Sequence, residues 1–327
     1  MSTAAGALMA GLIDYAGLFP PAGLAMEPAV AAYAAHRRGA DRWMLGRFVV
    51  PVARLVEFEA AFARLPSAER GDGAWELTAL LGSDVGRDAR AAEAFNVARR
   101  GGAVIRAVEA RTDGVAQITS ARTAMAPTFE LVCEVPLRGD LRWLLAAVRS
   151  VGGRAKVRTG GVTPPDIPAP DAVLKFLEGC AAIRLPFKAT AGLHHAVRAE
   201  RALTYAPESE RATMFGYLNV LLAAAALWLG RLRPEAIRLL GSGDAGALVV
   251  GGEDLRWGAS RFTAGEIGRV RREFALSIGS CSFDEPVTEL RELGAFLDEP
   301  TMTEERDLPG GAPTGGSRPT DRKAMPR

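Results

Sequence analysis

Two short runs of the chain carry lysine where a strand should be apolar. The first reads Gly153-Arg154-Ala155-Lys156-Val157-Arg158-Thr159-Gly160-Gly161. The second reads Ile183-Arg184-Leu185-Pro186-Phe187-Lys188-Ala189-Thr190-Ala191-Gly192-Leu193-His194-His195. Side chains alternate along a strand, so Lys156 and Arg158 share one face. A charge on an apolar strand is costly unless it is paired or hydrated, and two such lysines need a reason. A lysine stripped of water beside a second cation is driven toward its neutral amine. A neutral amine adds to a carbonyl and forms a Schiff base. Each lysine is followed closely by Thr and Gly, and the two runs are read as facing walls of one site.

Other ionisable groups fall at corresponding places. Asp14, Glu109, Glu134 and Asn219 sit at or near the carboxyl ends of predicted strands, and His194 and His195 lie in the loop after Lys188. Glu109 or Glu134 can shuttle protons for the lysine chemistry. Arg158 suits a substrate carboxylate or phosphate through its fixed charge and planar fork, or else pairs with Glu134. Asp14 and Glu134 either neutralise the lysines or join a histidine around a metal, although adjacent histidines seldom ligate one ion together. A solvated loop is the plainer reading of His194 and His195, and no metal is assigned. Asn219 either meets substrate or caps the last helix. Thr159, Gly160, Gly161, Thr190 and Gly192 complete the expected substrate-binding set. His36 is expected on a helix surface and Cys133 in the core.

The elements that must position these residues alternate. Strands are predicted at Leu12 to Phe19, Trp43 to Val50, Trp75 to Leu81, Ala103 to Ala110, Phe129 to Val135, the two lysine runs, and Met214 to Asn219 as the eighth. Helical patterns separate them, including one from His195 to about Tyr205 and the apolar stretch Val220 to Leu229. Successive strands begin roughly 25–35 residues apart, the spacing of about 250 residues folded as eight β/α units. Alternation of this kind implies parallel strands covered by helices. The expected fold is an α/β (β/α)8 TIM barrel over residues 1–240, with a helical extension packed on it over 241–298 and a disordered tail over 299–327. Within the extension, Ala247 to Trp257 reads as a hairpin or small added element, and Gly279 to Phe283 as a docking turn or a lid over the barrel mouth. A doubly wound open sheet is the competing layout, but no GxGxxG follows the first strand and no P-loop occurs. No cofactor is expected.

Composition narrows the partners. Hydrophobic residues make up 48% and charged residues 24% of 327, as in a soluble globular protein. A net charge of +2 argues against nucleic acid or a membrane surface as partner, and leaves room for a local anion pocket. Cys133, Cys180 and Cys281 form no CxxC pair, and a cytoplasmic location is expected. A small-molecule carbonyl or anionic substrate is the expected partner, with a homo-oligomer left open.

The order of motifs resembles the deoxyribose-phosphate aldolase group of class I aldolases. That family carries its Schiff-base lysine in a Lys-Thr-Ser-Thr-Gly strand and a second lysine in a following Lys-Ala-Ser-Gly-Gly strand. The matching stretches are Lys156-Val157-Arg158-Thr159-Gly160 and Lys188-Ala189-Thr190-Ala191-Gly192. Ile13-Asp14-Tyr15 is similar to the family's opening Ile-Asp-His, Val49-Val50-Pro51 to the end of its second strand, and Glu109 falls where it carries a proton-shuttling Asp. The resemblance implies a TIM barrel, Lys156 as Schiff-base former, Lys188 as the cation lowering its pKa, and Glu109 as shuttle. Arg158 stands where the family has serine, and Phe215-Gly216-Tyr217-Leu218-Asn219 stands where it has a Gly/Ser-rich phosphate loop. The expected function is therefore a class I aldolase-like lyase acting on a small carbonyl or anionic metabolite. The alternatives are a metal-assisted hydrolase or lyase using His194 or His195 with carboxylates, and a non-catalytic barrel that binds an anionic metabolite.

Overall fold

Eight parallel strands pair edge to edge until the last returns to the first, closing a (β/α)8 TIM barrel. A computed structural model describes residues 3–98 and 102–294. The tail expected over 299–327 lies outside the described residues. A short helix α1 (Ala4–Met9) precedes β1 (Ile13–Tyr15) and α2 (Met26–Arg38). The next units are β2 (Leu45–Pro51) with α3 (Leu55–Arg64), β3 (Trp75–Leu80) with α4 (Val85–Ala98), and β4 (Ala103–Arg111) with α5 (Val115–Thr123). Then follow β5 (Glu130–Glu134) with α6 (Leu141–Ser150), and β6 (Arg154–Arg158) with α7 (Pro170–Ala182). Strand β7 (Phe187–Thr190) is followed by an antiparallel hairpin, β8 (Ala199–Ala202) and β9 (Arg211–Met214), and then by α8 (Tyr217–Trp228).

The eighth barrel strand is not Met214 to Asn219. That stretch leaves the hairpin and enters α8, a helix buried on nearly every side. A helix buried all round shows no 3.6-residue stripe, and a short apolar run of it reads like a buried strand. The chain instead inserts α9 (Arg233–Gly241), a three-stranded antiparallel sheet of β10 (Leu248–Val250), β11 (Asp254–Trp257) and β12 (Ser260–Thr263), and α10 (Ala264–Glu273). Strand β13 (Ala275–Ser280) then closes the barrel between β7 and β1, and α11 (Asp284–Glu292) follows it. The barrel therefore extends well past residue 240, and the region from 241 onward supplies a wall of it. Gly279 and Ser280 end a barrel strand and form neither a docking turn nor a lid. The segment after His195 is also a hairpin where a helix was expected. The helix-favouring Ala-Glu-Arg-Ala of β8 is overridden by cross-strand pairing with β9, from Ala199 opposite Met214 to Ala202 opposite Arg211.

Arg271 explains how the weakly strand-like Ala-Leu-Ser-Ile-Gly-Ser run is fixed in place. Its buried guanidinium donates to the carbonyls of Leu8 and Ala10 before β1, and to those of Ala275 and Leu276 at the start of β13. The helix–strand layer is apolar, with Tyr33, Phe48, Phe58, Phe62 and Trp75 packed ring against ring beside β2 and β3. Among the described residues no helix is long and apolar enough to cross a membrane.

Candidate active site at the carboxyl ends of the barrel strands

Ala155 and Val157 are fully buried under the helices, and strand alternation turns Lys156 between them into the barrel. On β7 the same pattern turns Lys188 inward, directly opposite Lys156 in register. Lys156 and Lys188 each retain 5% of their accessible surface and Glu109 retains 3%, so these charges need partners. They have them. Lys156 Nζ donates to Glu109 Oε2 at 2.5 Å and lies 2.9 Å from Glu134 Oε2. Lys188 Nζ donates to Glu109 Oε1 at 2.8 Å and lies 2.6 Å from Asp14 Oδ2. The result is one chain, Asp14–Lys188–Glu109–Lys156–Glu134, spanning β1, β7, β4, β6 and β5. Three carboxylates and two ammonium groups give it one net negative charge.

The two ends of the chain differ. Asp14 is locked, since the Arg47 backbone N–H donates to its Oδ1 at 2.8 Å and the Ser277 hydroxyl to its Oδ2 at 2.9 Å. Gly46 permits this packing, because a Cβ there would overlap Asp14 Oδ1. Glu134 is half-buried at the mouth and also faces the Arg111 guanidinium at 3.5 Å. Burial works against the charge on Lys188, but Asp14 and Glu109 outweigh it and raise its pKa above the usual lysine value. Burial likewise pushes the Glu109 carboxyl up, yet the two lysines overcome this and bring it down to about 2. Lys188 is therefore a fixed cation. Lys156 has the looser surroundings, with one partner shared with Lys188 and the other shared with Arg111. Lys188 does not sit bare against Lys156, as the sequence suggests; it acts across the carboxylate by claiming half of Glu109.

The neighbouring residues hold the strand ends together. Thr159 Oγ1 is within hydrogen-bonding distance of the carbonyls of Thr190 (3.2 Å) and Ala191 (2.8 Å). Gly160 passes so close to β7 that a Cβ on it would lie 3.1 Å from the α-carbon of Gly192. Ala191 and Gly192 turn the chain through left-handed backbone, with φ of 66° and 71°, a conformation unusual for alanine. Gly161 abuts the Asp166 side chain in the next loop. At Gly279 a Cβ would lie 2.6 Å from Thr190 Oγ1, so β13 can carry only glycine beside this threonine. Arg158 is exposed at the end of β6.

Three expected members lie elsewhere. Asn219 is in the first turn of α8, where its Oδ1 accepts from Arg198 N–H at 2.8 Å and its amide donates to the carbonyls of Leu239 (2.7 Å) and Ser242 (2.8 Å). His195 Nδ1 pairs with Glu289 Oε1 at 2.6 Å, and His194 Nδ1 lies 3.7 Å from Cys281 Sγ. Burial, with His195 beside it, lowers the His194 pKa to about 4, which keeps its imidazole neutral at neutral pH. His36 is half-buried against Tyr15 and Phe283 instead of lying on the surface. The histidines thus flank the segment after β13, and among the described residues no group of three or more His, Cys, Asp or Glu is arranged to hold a metal ion. Ser277 and Gly279 were missed by sequence reasoning because their strand was missed. A stronger signal was available in the lysines themselves: the chain has four, against thirty-six arginines, and two of the four are Lys156 and Lys188.

Comparison with protein-family models, with curated proteins and with solved structures found no match for this chain.

Proposed function

We propose that this barrel is a class I aldolase-like lyase that uses Lys156 as a Schiff-base nucleophile on a small carbonyl metabolite. The buried Lys156–Glu109–Lys188 bridge carries the reading. A chain with thirty-six arginines and four lysines places two of the four at these positions. Arginine stays charged at every working pH, whereas lysine can give up its proton and attack. The similarity of the two lysine motifs to the deoxyribose-phosphate aldolase group supports the same assignment.

In the proposed sequence, Glu134 or Glu109 takes a proton from the Lys156 ammonium, both being within 2.9 Å of Nζ. The amine adds to the carbonyl carbon, and the carbonyl oxygen leaves as water to give a protonated imine. A carboxylate of the chain then removes the proton of the β-hydroxyl group. The carbon–carbon bond breaks, its electron pair flows toward the iminium nitrogen, and an aldehyde departs. The resulting enamine is protonated at carbon, and water hydrolyses the imine to free the second product and Lys156. Lys188 holds Glu109 in place and keeps the site's charge nearly balanced as protons move.

Incubation with a panel of small aldehydes and ketones plus cyanoborohydride tests the proposal, read by intact mass and peptide mapping. A secondary-amine adduct on Lys156 is expected. No adduct from any carbonyl, in protein shown to be folded, counts against it.

A further inference from the structure

The substrate's charge can be argued from what the barrel mouth leaves uncommitted. The five-membered chain already has one net negative charge, so it offers no spare cation to an incoming anion. Arg111, on the rim after Glu109, is engaged with Glu134. Arg158 is different. It lies two residues beyond Lys156 on the same strand and on the same face, and among the described residues it makes no hydrogen bond or ion pair. Asp166 lies close enough to feel its charge, but that carboxylate already accepts from Val162 N–H, Thr163 N–H and the Thr163 hydroxyl. Those Thr163 hydrogen bonds, with a smaller contribution from the Arg158 field, hold the Asp166 carboxyl below its usual range.

Spacing selects among anions. Two residues along a strand advance the backbone by ~6.6 Å. In a 2-oxo acid the carboxylate is bonded directly to the carbonyl carbon. An imine bond at one end and an N–H···O contact at the other therefore span about the same distance. A phosphate carried on a further carbon reaches beyond it. Resting on the Schiff-base reading above, we propose that the substrate class is a 2-oxo acid, with its ketone carbon at Lys156 and its carboxylate on the Arg158 guanidinium. The imine forms with loss of the ketone oxygen as water, and the carboxylate stays ionised throughout.

The test compares pyruvate with pyruvamide, its neutral isostere, and dihydroxyacetone phosphate with dihydroxyacetone, each trapped by cyanoborohydride. Half-saturating concentrations are measured for the wild-type protein, Arg158→Gln and Arg158→Lys. Pyruvate should half-saturate roughly tenfold to hundredfold below pyruvamide, the range of a charge-assisted hydrogen-bonded pair. Arg158→Gln should remove that preference by weakening pyruvate more than pyruvamide, while Arg158→Lys restores part of it. Equal trapping of pyruvate and pyruvamide overturns the inference and leaves the Schiff-base reading standing. An Arg158-dependent preference for dihydroxyacetone phosphate over pyruvate overturns the carboxylate assignment alone. If no carbonyl is trapped, calorimetry decides. Arg158-dependent binding of pyruvate but not pyruvamide would retain the anion site without the Schiff base, and no binding of either rejects both.

Discussion

Two ion networks fill the inside of this barrel, one at each end, and they use different cations. At the amino-terminal end, on β2 to β6, Arg47 reaches Glu130 through both terminal nitrogens at 2.8 and 3.0 Å. Arg154 joins the same carboxylate, and Glu76 takes Arg47 at 3.5 Å and Arg106 at 3.1 Å. At the carboxyl-terminal end the cations are Lys156 and Lys188. The arginine layer is the wetter of the two, with Glu130 at 25% and Glu76 at 33% side-chain exposure against 3% for Glu109. Guanidinium forks suit a permanent plug, since they bind carboxylates in a planar, bidentate way and do not deprotonate. A buried ammonium is a poorer clamp and a better reagent. Under the proposed function the two ends have different tasks, and only the lysine end has a cation that can give up its proton.

Exchanging the cations between the two ends should abolish the lysine chemistry. Lys156→Arg keeps the charge and removes the nucleophile, so carbonyl trapping should fall at least ~100-fold, given how much a covalent nucleophile contributes. The reciprocal change, Arg47→Lys, should leave trapping within about twofold. Trapping that survives Lys156→Arg would move the chemistry elsewhere.

The next effect is on stability. Glu109→Gln leaves two buried ammonium groups without their shared carboxylate, and should cost ~3–5 kcal/mol in denaturant unfolding. A loss under 1 kcal/mol would mean that the chain is far more hydrated than its burial implies. The pH dependence sharpens the same point. Glu109 has a folded pKa of about 2, below its unfolded value of about 4.3. Its contribution is present above the unfolded value and lost as pH falls through about 2. Lys188 is raised, so its contribution is present below about 10.4 and lost as pH rises through its folded value. Unfolding free energy should plateau between those limits, and Glu109→Gln should flatten the acid side.

Smaller effects belong to the other end. Arg47→Lys gives up a bidentate pair and should cost ~1–2 kcal/mol. Arg106→Gln, at a half-exposed pair with Glu76, should cost ~0–1 kcal/mol and vanish in high salt. A larger loss at Arg106 than at Glu109 would invert the assignment of the two layers.

The fold and most of the lysine cluster were legible in the sequence because both rest on local signals. Seven of the eight barrel strands are short apolar or charged runs, most of them closed by Pro, Gly or a turn, which local reasoning detects. The eighth is not. Ala275 to Ser280 carries glycine and two serines, small because Asp14 and Thr190 press against it, and that same packing erases its strand signature. The apolar run into α8 supplied a false substitute, and Asn219 was misassigned with it. Lys156, Lys188, Glu109, Asp14 and Glu134 were found as a group since charge on an inward strand face is conspicuous. Their order was not legible, because it depends on the radial closeness of five strands across the barrel. The histidines misled for the opposite reason: a His-His pair is conspicuous in sequence, but its partners Glu289 and Cys281 are nearly a hundred residues away.

Peptide mapping of the cyanoborohydride-trapped protein locates the reactive amine. After incubation with pyruvate and cyanoborohydride, the added mass should fall on the peptide containing Lys156. Lys188, locked between Asp14 and Glu109, and the exposed Lys175 should remain unmodified under the same conditions. An adduct on Lys188, or equal labelling of Lys175 and Lys156, would contradict the account of one reactive lysine in a built site.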